Sequence, residues 1–513
     1  MLTKNFFEII KTIKYKIDLR LFTNIILFLI PSCLLSKMSE ENTLGITTKK
    51  SEDFVEWYNQ VVLKSGLADY APMRGFMVIK PNGYALWESI QEYFNKVLER
   101  LKVSNAYFPL LIPENFFLKE AEHAKGFAPE LAWIEKEKGE MRLAIRPTSE
   151  TIIYNSFSTW VRSWRDLPLR VNQWCNVLRW EVKQTKLFLR TREFLWHEAH
   201  CIYATKEECD KEVIMVLKEY KKLCEELLAI PVIAGYKTEH EKFAGAFYTT
   251  TLEALMPDGK ALQMATSHNL GQGFAKAFKI SFLDENKNKK TPWQSSWGFS
   301  TRLIGALVMT HGDDKGLIIP PLLAKKKIVI IPILFTDSKE QVLEKAYEVA
   351  KKLEEFGAFV DERDNYNPGW KFSDWELKGI PLRIEIGPKD IEKNQVVIVR
   401  RDTGKKEFVK LSELQKRTKE IIIEMQKNLF TKAKKFLEDN IIKVKNEKEF
   451  LEEINKKKLV LAPFCCEVEC EKIVKEKFGI TSRCIPLESE ETKEKCIFCS
   501  KDKAKLVLFG KSY

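Results

Sequence analysis

Cysteine carries the densest chemical signal in this sequence. Six of its eleven cysteines fall between Cys465 and Cys499, as Cys465-x4-Cys470, then Cys484, then Cys496-x2-Cys499. Thiols two to four residues apart can reach one tetrahedral ion, and zinc takes four such ligands. The spacing assigns Cys465, Cys470, Cys496 and Cys499 to a structural zinc and leaves Cys466 and Cys484 aside. A set of buried free thiols is the competing reading. Four thiolates leave no open coordination position, so such an ion folds the tail and does no chemistry.

Arginines set among acids and aromatics form the second signal. Val177-Leu-Arg179-Trp-Glu181 reads as a strand with Arg179 and Glu181 on one face. After a polar turn, Phe188-Leu-Arg190-Thr191-Arg192-Glu-Phe194-Leu-Trp196-His197 returns as a second extended run. Such a hairpin suits a nucleotide, with guanidinium on phosphate and an aromatic face on the base. Arginines merely paired with Glu181 and Glu193 fit the spacing equally well. Trp293–Ala306 reads as a strand-to-helix passage with Gly298 at the turn and Arg302 opening an apolar helix. The positive end of a helix disfavours a cation unless an anion sits there too, which points to function at Arg302.

Two further segments resemble parts of a site. Arg146-Pro-Thr148-Ser-Glu150 brings a hydroxyl and a carboxylate together, suited to gripping an ammonium. A helix N-cap by Thr148 or Ser149 accounts for the same residues. Gln263-Met-Ala-Thr266-Ser-His268-Asn-Leu-Gly271-Gln-Gly273 is a polar run whose glycines match no dinucleotide fingerprint, and His268 alone reads as an ordinary structural histidine.

These residues need elements to hold them. Tyr84–Leu101 puts Leu86, Ile90, Phe94, Val97, Leu98 and Leu101 on one helical face, and Phe108–Pro113 reads as a short extended segment. After Pro320-Pro321, Ile328–Phe335 is a buried strand, and Ser338-Lys-Glu-Gln341 reads as a capping box opening a helix that ends at Gly357. Strands over Ala358–Asp361, Leu382–Ile386 and Val396–Arg400 complete a small α/β unit over about 326–405. Lys/Glu-rich helices over Leu411–Val444 lead to the cysteines.

At 513 residues and 45% hydrophobic, the chain exceeds one core and is neither collagen-like nor mainly disordered. A net charge of +12 admits a polyanionic partner without demanding one. Cysteines concentrated at one end argue for a reducing compartment. Residues 1–37 have the outline of a signal sequence, a basic flank before an apolar run over Leu21–Leu35, but that run is short for a membrane span. The expectation is that the natural chain starts at Met38, is cytoplasmic, and has no membrane association.

Taken together, Arg146–Glu150, Leu178–Glu181 with Arg190–Phe194, and Trp297–Arg302 resemble the prolyl-tRNA synthetases of archaeal/eukaryotic type, from about Ser51 to Tyr513. Arg179-x-Glu181 is similar to motif 2 of class II synthetases, Gly298–Arg302 to motif 3, and Pro109 to the motif 1 proline of a dimer interface. The resemblance implies an α+β catalytic domain built on an antiparallel sheet with flanking helices over 38–321. It implies an α/β anticodon-binding domain over 326–405, and a helical linker with a small zinc-binding α/β domain over 406–513. It also implies proline activation by MgATP, transfer to tRNA(Pro), and a homodimer.

Residue roles follow from the same resemblance. Arg179 bridges the α-phosphate and the proline carboxylate, and Arg302 holds the γ-phosphate. Glu181, Arg190, Thr191, Phe194, Thr266 and Thr301 line the ATP site, and Gln263 contacts the Mg2+ that ATP brings. Thr148 and Glu150 take the prolyl amine, while Trp196 and His268 close the pocket. Phe299 and Ser300 depart from the expected motif 3 residues, and Cys466 stands where the family more often has glycine. Tyr513 matches members whose C-terminal tyrosine folds back toward the site. About 120 residues separate Glu181 from Arg302, which leaves no room for an editing insertion. Another class IIa synthetase and a non-catalytic RNA-binding paralogue are the alternatives.

Overall fold

The computed structural model describes residues 45–121, 130–135, 138–489 and 492–513, so the expectation for residues 1–37 lies outside the described residues. One sheet of eleven strands organises the chain. Its centre is antiparallel and runs, in spatial order, Ile233–Tyr236, Tyr248–Leu255, Ala261–Gly271, Trp293–Ser300, Glu193–Tyr203 and Leu169–Leu178. Residues alternate across this sheet, so each strand feeds two environments. Ala199, Cys201 and Tyr203 join the core built with helices Pro81–Arg100 and Lys206–Lys222, around Trp87, Phe94 and Tyr220. Each large side chain buried there contributes about 1.5–3 kcal/mol. The helix expected at Tyr84–Leu101 is therefore present and buries the expected face.

Several local expectations are corrected. The Leu169–Leu178 strand stops before Arg179, so Arg179 and Glu181 lie in the turn beyond it and share no strand face. The second run becomes a strand only at Glu193, because Phe188 turns the chain at φ 60°. Gly298 is inside a strand rather than at a turn: a Cβ there would stand 2.5 Å from the His197 carbonyl of the neighbouring strand. Helix Arg302–His311 follows directly after Thr301.

Residues beyond Pro321 form a five-stranded sheet in the order Ala358–Val360, Ile328–Pro332, Leu382–Ile386, Gln395–Arg400 and Lys406–Lys410. The last strand, antiparallel to its neighbour, extends the sheet past residue 405. Ser338 makes no capping box: a 3-10 turn over Thr336–Ser338 precedes helix Lys339–Lys352, and the Ser338 hydroxyl has no partner. A long helix, Leu414–Asp439, buries Ile421, Met425 and Leu429 and leads back to the main sheet.

That return joins the C-terminal unit to the main sheet. Strands Ile441–Lys443, Leu459–Phe464, Lys505–Gly510 and Thr481–Pro486 continue the eleven-stranded sheet, and Thr481–Pro486 pairs with Ile233–Tyr236. The C-terminal unit is thus hydrogen-bonded to the central strands. Among the described residues no helix is long and apolar enough to cross a membrane.

Candidate active site

A cavity of about 290 Å³ opens on the sheet face opposite the Phe94 core. Period-2 alternation supplies one wall: Phe194, Trp196, Glu198 and His200 project from the Glu193–Tyr203 strand into it. Gln263, Thr266 and His268 project from Ala261–Gly271, Arg179 enters from the turn, and Arg302 comes from the helix start. Thr148 and Glu150 close the remaining side. Glu181 and Arg190 are exposed outside this lining, and Thr191 and Thr301 are buried behind it. The Thr191 hydroxyl donates to the Glu193 carbonyl at 2.6 Å, whereas the Thr301 hydroxyl has no partner.

At one end, three groups that accept or bind a cation are packed together. One ligand atom from each of Glu150, Glu198 and His200 lies within 4.8 Å of the others, and all three residues are buried. Thr148 donates its hydroxyl proton to Glu150, so neither Thr148 nor Ser149 caps the helix Glu150–Trp160 through its side chain. Ser149 donates to Glu198 through both its hydroxyl and its amide, and Gln173 Nε2 adds a bond to Glu198 at 3.1 Å. His200 Nε2 meets Glu198 at 3.1 Å, and its Nδ1 meets the Tyr154 hydroxyl at 3.0 Å.

The two carboxyls titrate apart. Burial raises Glu150. Burial works the same way on Glu198, but hydrogen bonds from His200 and Ser149 outweigh it and hold that carboxyl low. Glu198 and His200 were not identified from sequence. The alternation that exposed Phe194 and Trp196 continues to both, and following the strand past His197 finds them.

The other end holds guanidinium groups without acids. The Arg302 guanidinium donates to the backbone carbonyls of Leu189, at 3.2 Å, and Gln263, at 3.3 Å. Arg179 lies over the rings of Phe194 and Trp196, at 5.3 and 5.5 Å. Among the described residues, neither has a carboxylate at salt-bridge distance. Burial, followed by the charge of Arg179, lowers Arg302 to about 10, and burial lowers Arg179 as well. His268, bonded to the Thr249 hydroxyl at 2.9 Å, is lowered to about 3 by burial and by His200, and stays neutral. Arg146, by contrast, is a strut: it is buried and donates to Phe108 and Asn176.

The expected cysteines also converge. Cys465, Cys470, Cys496 and Cys499 place their sulfurs within 4.8 Å of one another. Cys470 and Cys496 are 4.0 Å apart, and Cys465 and Cys499 are 3.6 Å apart. Tetrahedral zinc–sulfur bonds of about 2.3 Å separate sulfurs by about 3.8 Å, so the cluster fits that ion. Burial raises Cys465 to about 12 and raises Cys470 too, as expected of crowded thiols without a cation. Cys484 is buried elsewhere, in the core under Leu437 and Leu459.

Residues 133–311 match the family described as "tRNA synthetase class II core domain (G, H, P, S and T)", and 327–421 match "Anticodon binding domain". Residues 447–513 match "Prolyl-tRNA synthetase, C-terminal". A protein of Clostridioides difficile named proline--tRNA ligase 2 is 49% identical over 481 residues, 93% of this chain and 99% of its own length. Proline--tRNA ligases of Alkaliphilus oremlandii, 49% identical, and Ruminiclostridium cellulolyticum, 50% identical, each align over 91% of this chain and 98% of their own. The chain belongs to the prolyl-tRNA synthetase family.

Proposed function

We propose that this chain activates L-proline with ATP to prolyl-adenylate and diphosphate, then transfers the prolyl group to the 3'-terminal adenosine of tRNA(Pro). The observation that carries this reading is a single cavity that joins a buried cation-accepting cluster to two half-buried guanidinium groups with no carboxylate at salt-bridge distance among the described residues. The prolyl ammonium bonds to Glu150 and Thr148, with Glu198 and His200 behind them. Its carboxylate is turned toward Arg179, and the attack on the α-phosphorus develops charge that Arg179 neutralises in a water-poor site. Arg302 takes the γ-phosphate at the helix start, where the anion removes the penalty on a cation. Phe194 offers a face to adenine, and Trp196 and His268 bound the amino-acid pocket. Thr266 faces the nucleotide. Glu181 and Arg190 flank the nucleotide site from its rim, and Thr191 and Thr301 support it from behind.

Mg2+ bound with ATP would supply positive charge that offsets the charge of the triphosphate. Gln263 offers it one neutral amide oxygen from the wall beside Arg302, which suits an ion that keeps most of its phosphate and water ligands. Cys465, Cys470, Cys496 and Cys499 hold a structural zinc. Exposed Tyr107 and Pro109 lie on the segment expected at a homodimer interface, and the 327–421 unit receives the anticodon. The reading is of a cytoplasmic enzyme. A pocket that rejects alanine by missing carbons alone discriminates by about 10- to 200-fold, so alanine is activated measurably and not cleared by this chain.

The test is amino-acid-dependent ATP–diphosphate exchange with purified protein. Proline gives the fastest exchange, with alanine or cysteine trailing. Exchange that responds to threonine, serine, glycine or histidine instead, or none with any amino acid, refutes the reading.

A further inference from the structure

The hairpin of Tyr248–Leu255 and Ala261–Gly271 carries Gln263, Thr266 and His268 into the cavity, yet the C-terminal unit grips it at three places. At the turn, Gly259 has φ +83°, and a Cβ there would stand 2.5 Å from the Lys457 carbonyl. At the start of the second strand, the Ala261 amide donates to the Lys511 carbonyl at 2.7 Å, and the Tyr513 hydroxyl donates to Asp258 at 2.7 Å. The third contact is ionic and fully enclosed. Arg483, on the Thr481–Pro486 strand, directs Nε and Nη2 at one oxygen of Glu253, at 3.0 and 2.7 Å. The other oxygen takes Lys237 Nζ at 2.8 Å and the Thr251 hydroxyl at 2.9 Å.

Glu253 lies directly across from Gln263, and the register slips between Gln263 and Ala265. At that irregularity the Gln263 carbonyl turns to accept from Arg302 Nη1. The chain of contacts is therefore short: Arg483 to Glu253, Glu253 to the strand opposite the bulge, and the bulge to Arg302. Nothing local requires an arginine from a separate unit here, because Lys237 already pairs with Glu253.

We infer that Arg483 is a positioning residue of the ATP site, fixing through Glu253 the bulge that aims Arg302. This rests on the reading of Arg302 as the γ-phosphate ligand. Loss of Arg483 loosens one end of the nucleotide site and leaves the proline cluster of Glu150, Glu198 and His200, held by other elements, unmoved. The C-terminal unit thereby tunes ATP affinity without contributing a group that touches ATP.

Proline-dependent exchange, which needs no tRNA, separates the outcomes when the full chain is assayed with its metal. Absence of exchange in the wild-type protein defeats the functional reading itself. With wild-type exchange established, Arg483→Met raises the KM for ATP between about 2- and 30-fold, with the KM for proline and the zinc content unchanged. Arg483→Lys keeps the charge but loses the two-pronged contact, and gives a smaller rise in the same direction. Arg417→Met, which breaks ion pairs to Glu407, Glu420 and Glu424 far from the cavity, leaves both KM values alone. An unchanged KM for ATP in Arg483→Met, or KM values that rise together, overturns the inference. If Arg483→Met fails to fold, a wild-type KM for ATP in Arg483→Lys overturns it equally, and a selective rise upholds it.

Discussion

Arginines in the cavity and arginines in the five-stranded unit live by different rules. In the five-stranded unit Arg363 bonds to Asp361 and Asp374 at 2.7 and 2.9 Å, Arg400 to Asp402 at 2.8 Å, and Arg417 to Glu407 at 2.7 Å. Each charge there is answered from within the chain. Arg179 and Arg302 are as deeply placed, yet their guanidinium groups bond to or stack on only carbonyls and rings. A buried cation without an acid is costly unless something else brings the negative charge. On the reading proposed above, the paired arginines are architecture and the unpaired ones are placed to meet an anion.

Neutralising both kinds of arginine tests this most severely. Arg179→Gln or Arg302→Gln should lower proline-dependent exchange about 10²- to 10³-fold, the loss usual for one preorganised donor at developing charge. The same change at Arg400 should reduce stability and leave exchange per folded molecule unaltered. Equal losses at all three would erase the distinction.

Cysteines divide in the same manner. Cys201, Cys209 and Cys224 are buried singly in the main core, whereas four sulfurs crowd one point in the C-terminal unit. Elemental analysis should therefore find one zinc per chain in the wild-type protein and none in Cys470→Ser. Its affinity loss should exceed the about 10- to 100-fold cost of removing a ligand's hydrogen-bonded neighbour. Cys201→Ser should keep the metal.

Buried carboxyls extend the contrast to acids. Glu253 would be raised by burial, but Lys237 and Arg483 outweigh that and hold it low. At Glu150 burial outweighs the opposing pull of His200, Glu198 adds to it, and the carboxyl is raised above the ordinary value of about 4.3. Its charge, and the proline affinity it carries, is complete above that raised value and lost as pH falls through it. The KM for proline should climb on acidification sooner than the KM for ATP. Glu150→Gln should remove the dependence and raise the KM for proline about 10- to 100-fold, as for a lost hydrogen bond to a charged partner. A pH profile unchanged by Glu150→Gln would assign the proton to another group.

Motif spacing made the cavity's arginines, Thr148, Glu150 and the four cysteines readable, because each set is tied to its chemistry over a few positions. Long-range pairing was not readable. Arg483 and Glu253 are 230 positions apart, and no local pattern announces their contact. Local signals also misled where neighbours intervened. Ser338 looks like a cap, but the turn before it carries its backbone to φ −128° and ψ 8°, away from capping geometry. Arg179 looks like a strand residue, and its amide still bonds across to the Arg192 carbonyl at 2.7 Å, but the ladder ends there and Trp180 and Glu181 form the turn. Of the fold, helices and buried strands were legible from apolar periodicity. The joining of the C-terminal strands to the catalytic sheet depends on edge pairing, which periodicity does not encode.

The smallest effect concerns the cysteine that the cluster leaves out. Cys466 has φ 60°, a left-handed conformation that costs a residue with a side chain about 1–2 kcal/mol. Glycine relieves that strain but gives the unfolded chain extra freedom worth about 0.5–1 kcal/mol. Cys466→Gly should therefore stabilise the C-terminal unit by about 0.5 kcal/mol, read as a higher denaturant midpoint, with zinc content unchanged. The thiol now lies 3.7 Å from the Phe464 carbonyl and outside the four-sulfur cluster, so little packing is forfeited. A lower midpoint together with lost zinc would instead make Cys466 a ligand, with the strained backbone maintained by the metal.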